Sequence, residues 1–411
     1  PLTKQLEEEG ISIHYEDRPN LIPRNLDLAI YTPAVPEDLE EFQSIKDTGY
    51  PYIKRSDLLE IITNSHKTLA VAGTHGKTTV STMLAHIMYS SSVGCTAFLG
   101  GISKNYNSNL LLNHQSDYMV AEADEFDRSF LKLHPYIGVI TSADADHLDI
   151  YKTHENLLSS FAAFVGQIKD NGSLLIKAGV QLSLQLKNKI NIYTYSVAEE
   201  TDFCAKDLVL IDGKYQFKLK TPDSVIEGFC PVLPGMFNVE NSIAAASAAY
   251  LCGVNSNDIV SAVNNFKGVK RRFDHIIERS DLLYIDDYAH HPEELKACIT
   301  SVRKLYPGRE ITGIFQPHLY TRTRDFASGF AQSLSLLDKL ILLEIYPARE
   351  EPIEGINSKM LLDLVPLNDK MILTKNQVAT YLTTHKPDIL LTLGAGDIDQ
   401  LVPVIERIFE R

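Results

Sequence analysis

Short apolar runs alternate with amphipathic stretches along this chain, and the alternation is clearest between residues 68 and 90. Residues 68–72 form an apolar run that predicts a buried strand. Apolar side chains then recur at helical spacing over residues 80–88, which predicts a helix. A glycine-containing turn joins the two and ends in Gly-Lys-Thr-Thr at residues 76–79. The pattern therefore predicts a strand, a tight turn and a helix in direct succession.

The turn between this strand and this helix has the composition of a phosphate-binding loop. Backbone N–H groups at a helix N-terminus face an anion, Lys77 can reach the β- and γ-phosphates, and the Thr78 hydroxyl can bind Mg2+. Val71 replaces the glycine that usually stands five residues before Gly76. A plain tight turn is the less favoured alternative, because residue types, order and flanking elements agree. The turn predicts nucleoside triphosphate binding through Gly73, Thr74, His75, Gly76, Lys77, Thr78 and Thr79.

Periodicity divides the chain into three α/β segments, at residues 1–61, 62–268 and 269–411. The first resembles a nucleotide-binding domain without its first βα unit. Its predicted elements are short: helices at 2–9 and 37–47, and strands at 11–15 and 27–31. Since the chain does not begin with methionine, we expect its true start to be missing.

The second and third segments repeat the alternation on a larger scale. The second has predicted strands at 118–121, 136–141 and 173–176, a hairpin at Asp212-Gly213 and a helix at 238–251. The third has predicted strands at 282–286, 311–316, 339–344, 370–373 and 388–393, with helices between them. We therefore expect a truncated Rossmann-like N-terminal domain, a central P-loop ATPase-type α/β domain and a C-terminal Rossmann-like, doubly wound domain.

Composition narrows the class of protein. The 411 residues carry a net charge of −14, from 39 Lys+Arg and 53 Asp+Glu, which argues against nucleic acid as a partner. Five cysteines, without a Cys-x-x-Cys pair, are typical of reduced thiols. No apolar run approaches the roughly 20 residues of a membrane span, and no signal peptide is evident. We expect a cytoplasmic protein without membrane insertion, as a monomer or weak homodimer.

Acidic side chains follow the predicted strand at 118–121. Glu122, Asp124, Glu125 and Asp127 are compatible with a solvated loop, which is the usual role of a charge run. However, carboxyl ends of parallel strands meet at the ligand-binding edge of a sheet, and Glu122 ends a strand expected beside the phosphate-binding loop. Because Mg2+ prefers one or two protein oxygens plus water and phosphate oxygens, we predict that Thr78 and Glu122 bind it.

His147 follows two aspartates after the predicted strand at 136–141. A lone histidine is more often structural, but this one lies at the same edge of the predicted sheet. It is a candidate second metal ligand or a base for an amine. Zinc is disfavoured, because no histidine or cysteine spacing fits a zinc site.

Two strand ends in the third segment bring histidines and arginines together. Residues 286–292 follow its first predicted strand, and residues 316–324 follow the second. Each stretch alone is compatible with a helix cap. Together they supply three histidines and two arginines, a cationic crevice suited to a carboxylate. The basic residues 270–272 either clamp a phosphate or face water.

In this order, the motifs resemble the Mur ligase family of peptidoglycan synthesis over nearly the whole chain. Residues 270–273, 290–292 and 316–318 are more selective for the branch that adds L-alanine to UDP-N-acetylmuramate and for its tripeptide-recycling relative. Taken together, the motifs are most similar to the L-alanine branch. The tripeptide-recycling branch is the alternative within the family. A P-loop ATPase or kinase with another partner is the alternative from a different class. A non-catalytic nucleotide sensor is disfavoured by the intact Lys77, Thr78, Glu122 and His147.

The resemblance implies that ATP phosphorylates the muramate carboxylate and that the L-alanine amine then attacks the acyl phosphate, releasing ADP and phosphate. By the same resemblance, Lys77, Glu122 and His147 are catalytic, and Thr78, Glu122 and His147 hold Mg2+. The remaining implied ATP contacts are Asn238 and Asn241 at the adenine and Arg272 at the phosphates. The implied substrate contacts are Thr32 on the uridine side, and Tyr288, His290, His291, His318 and Arg322 at the L-alanine end.

This chain departs from the family pattern at three positions. Ser142 stands where asparagine is usual, Phe237 where histidine is common, and Leu319 where arginine is frequent. The family roles of those three positions are therefore not carried over to this chain.

Overall fold

The computed structural model describes residues 2–32, 35–126, 128–144, 148–211, 213–348 and 350–410, and within these it forms three sheets. The first segment contains α1 (Leu2–Glu8), a 3-10 turn (Pro19–Leu21), β1 (Ala29–Tyr31), α2 (Glu40–Thr48), β2 (Tyr52–Lys54) and α3 (Arg55–Asn64). β1 and β2 pair in parallel as a two-stranded sheet. The strand predicted at 11–15 is wrong, because these residues are irregular and leave Ile11 and Tyr15 exposed to solvent.

A ten-stranded sheet forms the centre of the molecule. Its strands run in the order β12-β11-β10-β9-β8-β7-β3-β6-β4-β5. They are β3 (Lys67–Ala72), β4 (Thr96–Ser103), β5 (Ser108–Leu111), β6 (Tyr118–Glu122), β7 (Ile137–Ile140), β8 (Ser173–Lys177), β9 (Asn191–Ser196), β10 (Phe203–Ile211), β11 (Lys214–Lys220) and β12 (Val225–Phe229). In this spatial order, the seven neighbouring strands from β10 to β4 are parallel. Antiparallel pairing adds β5 at one edge and β11 and β12 at the other.

Helices cover both faces of this sheet. They are α4 (Lys77–Ser90), α5 (Leu148–Tyr151), α6 (His154–Val165), α7 (Met236–Leu251) and α8 (Ser256–Asn265), with a 3-10 turn at Ser129–Lys132. Alternate residues of β3 point to opposite faces, so Leu69 and Val71 pack with α4 and α7 while Ala70 and Ala72 face α6. The helix predicted after the loop is confirmed as α4. The predicted hairpin is confirmed by the pairing of β10 with β11, in which Ile211 lies opposite Lys214, while Asp212 itself lies outside the described residues.

The C-terminal segment builds a six-stranded sheet in the order β13-β14-β18-β15-β16-β17. Its strands are β13 (Asp274–Arg279), β14 (Leu282–Asp287), β15 (Ile311–Phe315), β16 (Lys339–Leu342), β17 (Lys370–Ile372) and β18 (Ile389–Leu393). Its helices are α9 (Pro292–Leu305), α10 (Tyr320–Asp325), α11 (Ala327–Leu334), α12 (Ser358–Leu364), α13 (Lys375–Thr384) and α14 (Val402–Phe409), with a 3-10 turn at Asp397–Leu401.

This sheet confirms the predicted doubly wound architecture. The five strands from β14 to β17 are parallel, and separate apolar clusters cover the two faces. The sequence pattern did not predict β13, which pairs antiparallel with β14 at the edge. No helix within the described ranges is long and apolar enough to span a bilayer.

The segment that enters the C-terminal sheet is fastened to the central sheet by its backbone. Lys104 N–H donates to Gly268 O at 3.0 Å, and Lys270 N–H donates to Ile102 O at 2.9 Å. These bonds align residues 268–270 along the end of β4. The neighbouring Arg272 is thereby placed above the N-terminus of α4.

Candidate active site

Two glycines shape the turn between β3 and α4. Gly73 has a φ of 135° and Gly76 a φ of 80°, both in the region that favours glycine. A Cβ on Gly73 would lie 2.2 Å from Thr141 Oγ1, and one on Gly76 would lie 2.9 Å from Asn241 Oδ1. Larger residues would thus displace the turn from its neighbours. N–H groups in the first turn of a helix have no partner within the helix, and the residues at the start of α4 line the cleft.

The end of β7 clamps this turn through two hydroxyl side chains. Thr141 donates to the carbonyl of His75, and His75 N–H donates to Ser142 Oγ at 2.7 Å. Ser142 Oγ also lies 2.9 Å from Thr74 Oγ1, which accepts the Asp144 N–H at 3.1 Å. Ser142 is therefore a structural support of the phosphate-binding loop, a role that sequence reasoning did not assign to it.

Lys77 is held by carboxylates of the loop after β6. Its Nζ lies 2.9 Å and 2.8 Å from the two oxygens of the fully buried Glu125, and 4.0 Å from Asp124 Oδ1. Burial alone would lower the pKa of Lys77, but these carboxylates outweigh it and raise that pKa. The lysine is therefore charged, nearly buried and aimed along the turn that the phosphates would occupy.

Glu122 and Thr78 together fit a magnesium site. In the parallel pairing of β3 with β6, Val71 stands opposite Glu122, which confirms that Glu122 ends the strand beside the loop. The Thr78 hydroxyl donates to Glu122 Oε1 at 3.0 Å, while Glu122 Oε2 is buried without a hydrogen-bond partner among the described residues. Burial raises the pKa of Glu122, against the opposing effect of Lys77. An unpartnered carboxylate oxygen beside a hydroxyl suits one hard cation.

Two other predicted site residues, His147 and Thr32, have different outcomes. His147 lies outside the described residues, so its role stays a prediction. Among the residues that are described, no group of three His, Cys, Asp or Glu side chains forms a metal cluster. Thr32 lies beside β1 in the first segment and does not line the cleft between the other two sheets.

The predicted adenine contacts lie at the N-terminus of α7. Asn238 donates to Pro234 O at 2.7 Å, and Asn241 approaches Asn238 Oδ1 at 3.5 Å. Both asparagines line the cleft next to the phosphate-binding loop. Phe237 packs edge-on against Phe273, with 5.5 Å between ring centroids, and so joins the central and C-terminal sheets.

Arg271 and Arg272 contact different segments, the C-terminal and the central one respectively. Arg271 donates to Gly394 O and lies 3.4 Å from Asp286 Oδ2, which fixes it in the C-terminal segment. Arg272 reaches 3.4 Å from Thr78 Oγ1 in the central one. Both guanidinium groups lie about 5 Å from the centre of the Tyr288 ring, at 5.1 Å and 5.0 Å. Arg272 is thus the basic side chain that faces the phosphate-binding loop.

Histidines and an arginine from two strand ends face the same cleft. The Glu294 carboxylate accepts the backbone N–H of His290 at 2.9 Å. Burial alone would raise the pKa of Glu294, but the interactions with His290 and its backbone N–H outweigh burial and lower that pKa to about 2. Burial lowers the pKa of His290. The pKa of His318 falls to about 4, through burial and the charge of Arg322, whose Nη1 lies 3.4 Å from His318 Nδ1. Both imidazoles are therefore uncharged at neutral pH.

His291 faces away from these groups. Its ring contacts Phe326 edge-on, with centroids 4.6 Å apart, and it does not line the cleft. The reason is local: His291 is the residue before α9, and the chain turns there so that Glu294 accepts its backbone N–H. The structure therefore does not bring His291 to the other predicted substrate contacts.

One cleft of about 1960 Å³ joins these groups between the central and C-terminal sheets. It exposes the phosphate-binding loop at one side and the histidine–arginine crevice at the other. The predicted site residues that line it are Thr74, His75, Gly76, Lys77, Thr78, Thr79, Glu122, Asn238, Asn241, Arg272, Tyr288, His290, His318 and Arg322. The loop, the carboxylate beside it and the opposed histidine–arginine crevice are the features of a P-loop protein whose nucleotide site faces a second polar site across one cleft.

The chain belongs to the Mur ligase family. Its residues 1–67 match the family's catalytic domain, residues 71–249 the Mur ligase middle domain, and residues 271–396 the Mur ligase glutamate ligase domain. It is 47% identical to the UDP-N-acetylmuramate–L-alanine ligase of Porphyromonas gingivalis over 414 residues, covering 99% of this chain and 91% of that protein.

Solved structures show the same fold. The UDP-N-acetylmuramate-alanine ligase from Thermotoga maritima superposes with a TM-score of 0.81 at 23% identity, covering 99% of this chain and 90% of that one. The MurF ligase from Thermotoga maritima, solved in complex with ADP, gives a TM-score of 0.68 at 16% identity, with 94% and 96% covered. The expected family and three-segment α/β fold are thus confirmed.

Gly100→Ala tests the placement of Glu122. The new Cβ would lie 2.0 Å from Glu122 Oε2, so the carboxylate must leave its present position beside Thr78 or the strand must shift. We expect turnover to fall on the order of 10- to 100-fold and half-maximal activity to need more Mg2+. The control is Gly166→Ala, in which the new Cβ would lie 3.3 Å from its nearest neighbouring atom. Unchanged magnesium dependence in the Gly100 variant would contradict the assignment of Glu122.

The neutral state of His318 predicts a pH dependence of stability. Its pKa is about 4 in the folded protein, below the ordinary value of 6.5. Between pH 4 and pH 6.5 the unfolded chain therefore binds more protons than the folded protein. Folding stability is consequently lost as pH falls from 6.5 towards 4. His318→Asn should lose less melting temperature between pH 7 and pH 5 than the wild type. The exposed His114→Asn should match the wild type, and equal losses in all three proteins would refute the prediction.

Proposed function

We propose that this protein joins L-alanine to the carboxylate of UDP-N-acetylmuramate through an acyl phosphate, with ATP converted to ADP and phosphate. The observation that carries the proposal is the single cleft that places Lys77 and Glu122 opposite His290, His318 and Arg322. A carboxylate bound between these two groups would have the phosphoryl donor on one side and the amine on the other. The likeness to the ligase of Porphyromonas gingivalis supports the same choice of substrates.

The first step needs a carboxylate to approach the tail of ATP, although both are anionic. A carboxylate oxygen attacks the γ-phosphorus, the bond to the β-phosphate oxygen breaks, and ADP leaves. Lys77 and Arg272 supply positive charge from the central and C-terminal sheets, where water is partly excluded and such charge acts strongly. Mg2+, held by Thr78 and Glu122, would neutralise phosphate charge when bound.

The second step needs an uncharged amine next to the acyl phosphate. The amine nitrogen attacks the acyl carbon, phosphate leaves, and the nitrogen gives up its proton. The uncharged imidazoles of His290 and His318 do not repel an arriving ammonium group, and a neutral imidazole can accept a proton. Arg322 is the cation in this crevice that suits the carboxylate of the amino acid.

The remaining assignments follow the same arrangement. Asn238 and Asn241 would contact the adenine, since they line the cleft beside the phosphate-binding loop. The first segment, with Thr32, would bind the UDP group. We place the reaction in the cytoplasm, where ATP is supplied, and retain the monomer or weak homodimer as the expected state.

A phosphate-release assay with an amino-acid screen tests the proposal. ATP, Mg2+ and UDP-N-acetylmuramate should release phosphate only when L-alanine is added. Release with the tripeptide L-alanyl-γ-D-glutamyl-meso-diaminopimelate and none with L-alanine would assign the protein to the recycling branch. Phosphate release that needs no amino acid would instead indicate an ATPase, and ATP consumption that yields a phosphorylated product would indicate a kinase.

Lys77→Ala tests the phosphoryl-transfer half of the site. We expect turnover to be abolished and the circular dichroism spectrum to be retained, with a lower melting temperature because the buried Glu125 loses its ion-pair partner. The matched control is Lys359→Ala, which removes an exposed lysine paired with Asp363 on α12. Retained turnover in the Lys77 variant would be incompatible with this mechanism.

A further inference from the structure

Tyr346 is a cleft residue to which the sequence analysis gave no role. It follows β16 and lies beside the histidine–arginine crevice. Its ring is nearly parallel to the His318 ring, with centroids 5.8 Å apart and an angle of 15° between the planes. The two rings are therefore stacked, and both line the cleft at the end that we assign to the amino acid.

The position of this ring is fixed by the backbone around it. Tyr346 N–H donates to Pro317 O at 2.8 Å, and Leu319 N–H donates to Tyr346 O at 2.9 Å. The ring also rests on Gly396, where a Cβ would lie only 2.8 Å from Tyr346 Cβ and Cγ. The absence of a side chain at Gly396 therefore allows the base of the tyrosine side chain to pack this closely, and Gly396 leaves no space for it to move in that direction.

The side chains that line the cleft near the Tyr346 ring differ in size. Ala348 and Ala395 also line the cleft and each has only a methyl group. The crevice therefore has little bulk near these two alanines, and the stacked rings of Tyr346 and His318 are the bulky side chains beside them. A tightly packed ring excludes a larger substrate side chain more effectively than a mobile ring does, because the packed ring cannot move aside without losing its contacts.

We propose that Tyr346 is a specificity-determining residue that limits the side chain of the incoming amino acid to a small group. The proposal rests on the proposed function, since it takes this end of the cleft as the amino-acid site. Size discrimination by an apolar wall is typically about 10- to 200-fold per methylene group. Removal of the ring should therefore relax the preference for L-alanine over L-valine and L-leucine, rather than abolish turnover.

The test compares kcat/KM for L-alanine, L-valine and L-leucine in wild type, Tyr346→Phe, Tyr346→Leu and Tyr346→Ala. The preference for L-alanine should be retained in the Phe variant, which keeps the ring. It should fall in the Leu variant and fall by about tenfold or more in the Ala variant. Melting curves establish that each variant is folded, and the Leu variant decides the test if the Ala variant is not.

The outcomes separate this inference from the proposed function. If the wild type releases no phosphate in response to L-alanine, the proposed function fails. If the wild type does respond but the folded Leu and Ala variants keep its preference, the specificity role of Tyr346 is overturned. An equal loss of turnover with all three amino acids would also overturn it, because that result would reduce Tyr346 to a support for His318.

Discussion

The site depends on a charged lysine kept nearly out of water at the start of a helix. Lys77 is retained there because Glu125, which is fully buried, contacts its ammonium group with both carboxylate oxygens. Without that pairing, burial would favour the neutral amine, which could not attract a phosphate. The ends of β6 and β7 supply the supporting atoms, through Glu125 on one side of β3 and Ser142 on the other.

The second half of the site reaches the first across a boundary between sheets. The backbone of residues 268–270 is bonded to the end of β4, whereas Arg271 is fixed to the C-terminal sheet. Arg272 follows directly after both anchors in the chain and faces Thr78. The geometry therefore couples the positions of the two sheets to the electrostatics of the phosphate-binding loop. In the proposed reaction, the uncharged histidines beyond it leave Arg322 as the cation for the carboxylate of the amino acid.

The sequence predicts best those features that depend on local pattern. Continuous apolar runs identified the parallel strands, and the turn at residues 73–79 identified the phosphate-binding loop. The strand predicted at 11–15 failed because alternation of apolar residues does not show whether a partner strand exists. Ser142 and Glu125 were missed as supports, since their roles arise from which strands are neighbours. His290 and His291 look equivalent in sequence, and only the turn into α9 separates the one that faces the cleft from the one that packs on Phe326.

The central claim is that the phosphoryl group of ATP and the carboxylate of the substrate meet beside Lys77. Transfer of oxygen tests this claim most directly. With UDP-N-acetylmuramate labelled by 18O in its carboxylate, a reaction with ATP and L-alanine should yield inorganic phosphate that carries one 18O atom from the substrate. Unlabelled phosphate, formed at the same rate as the amide, would show that no acyl phosphate forms and would contradict the account.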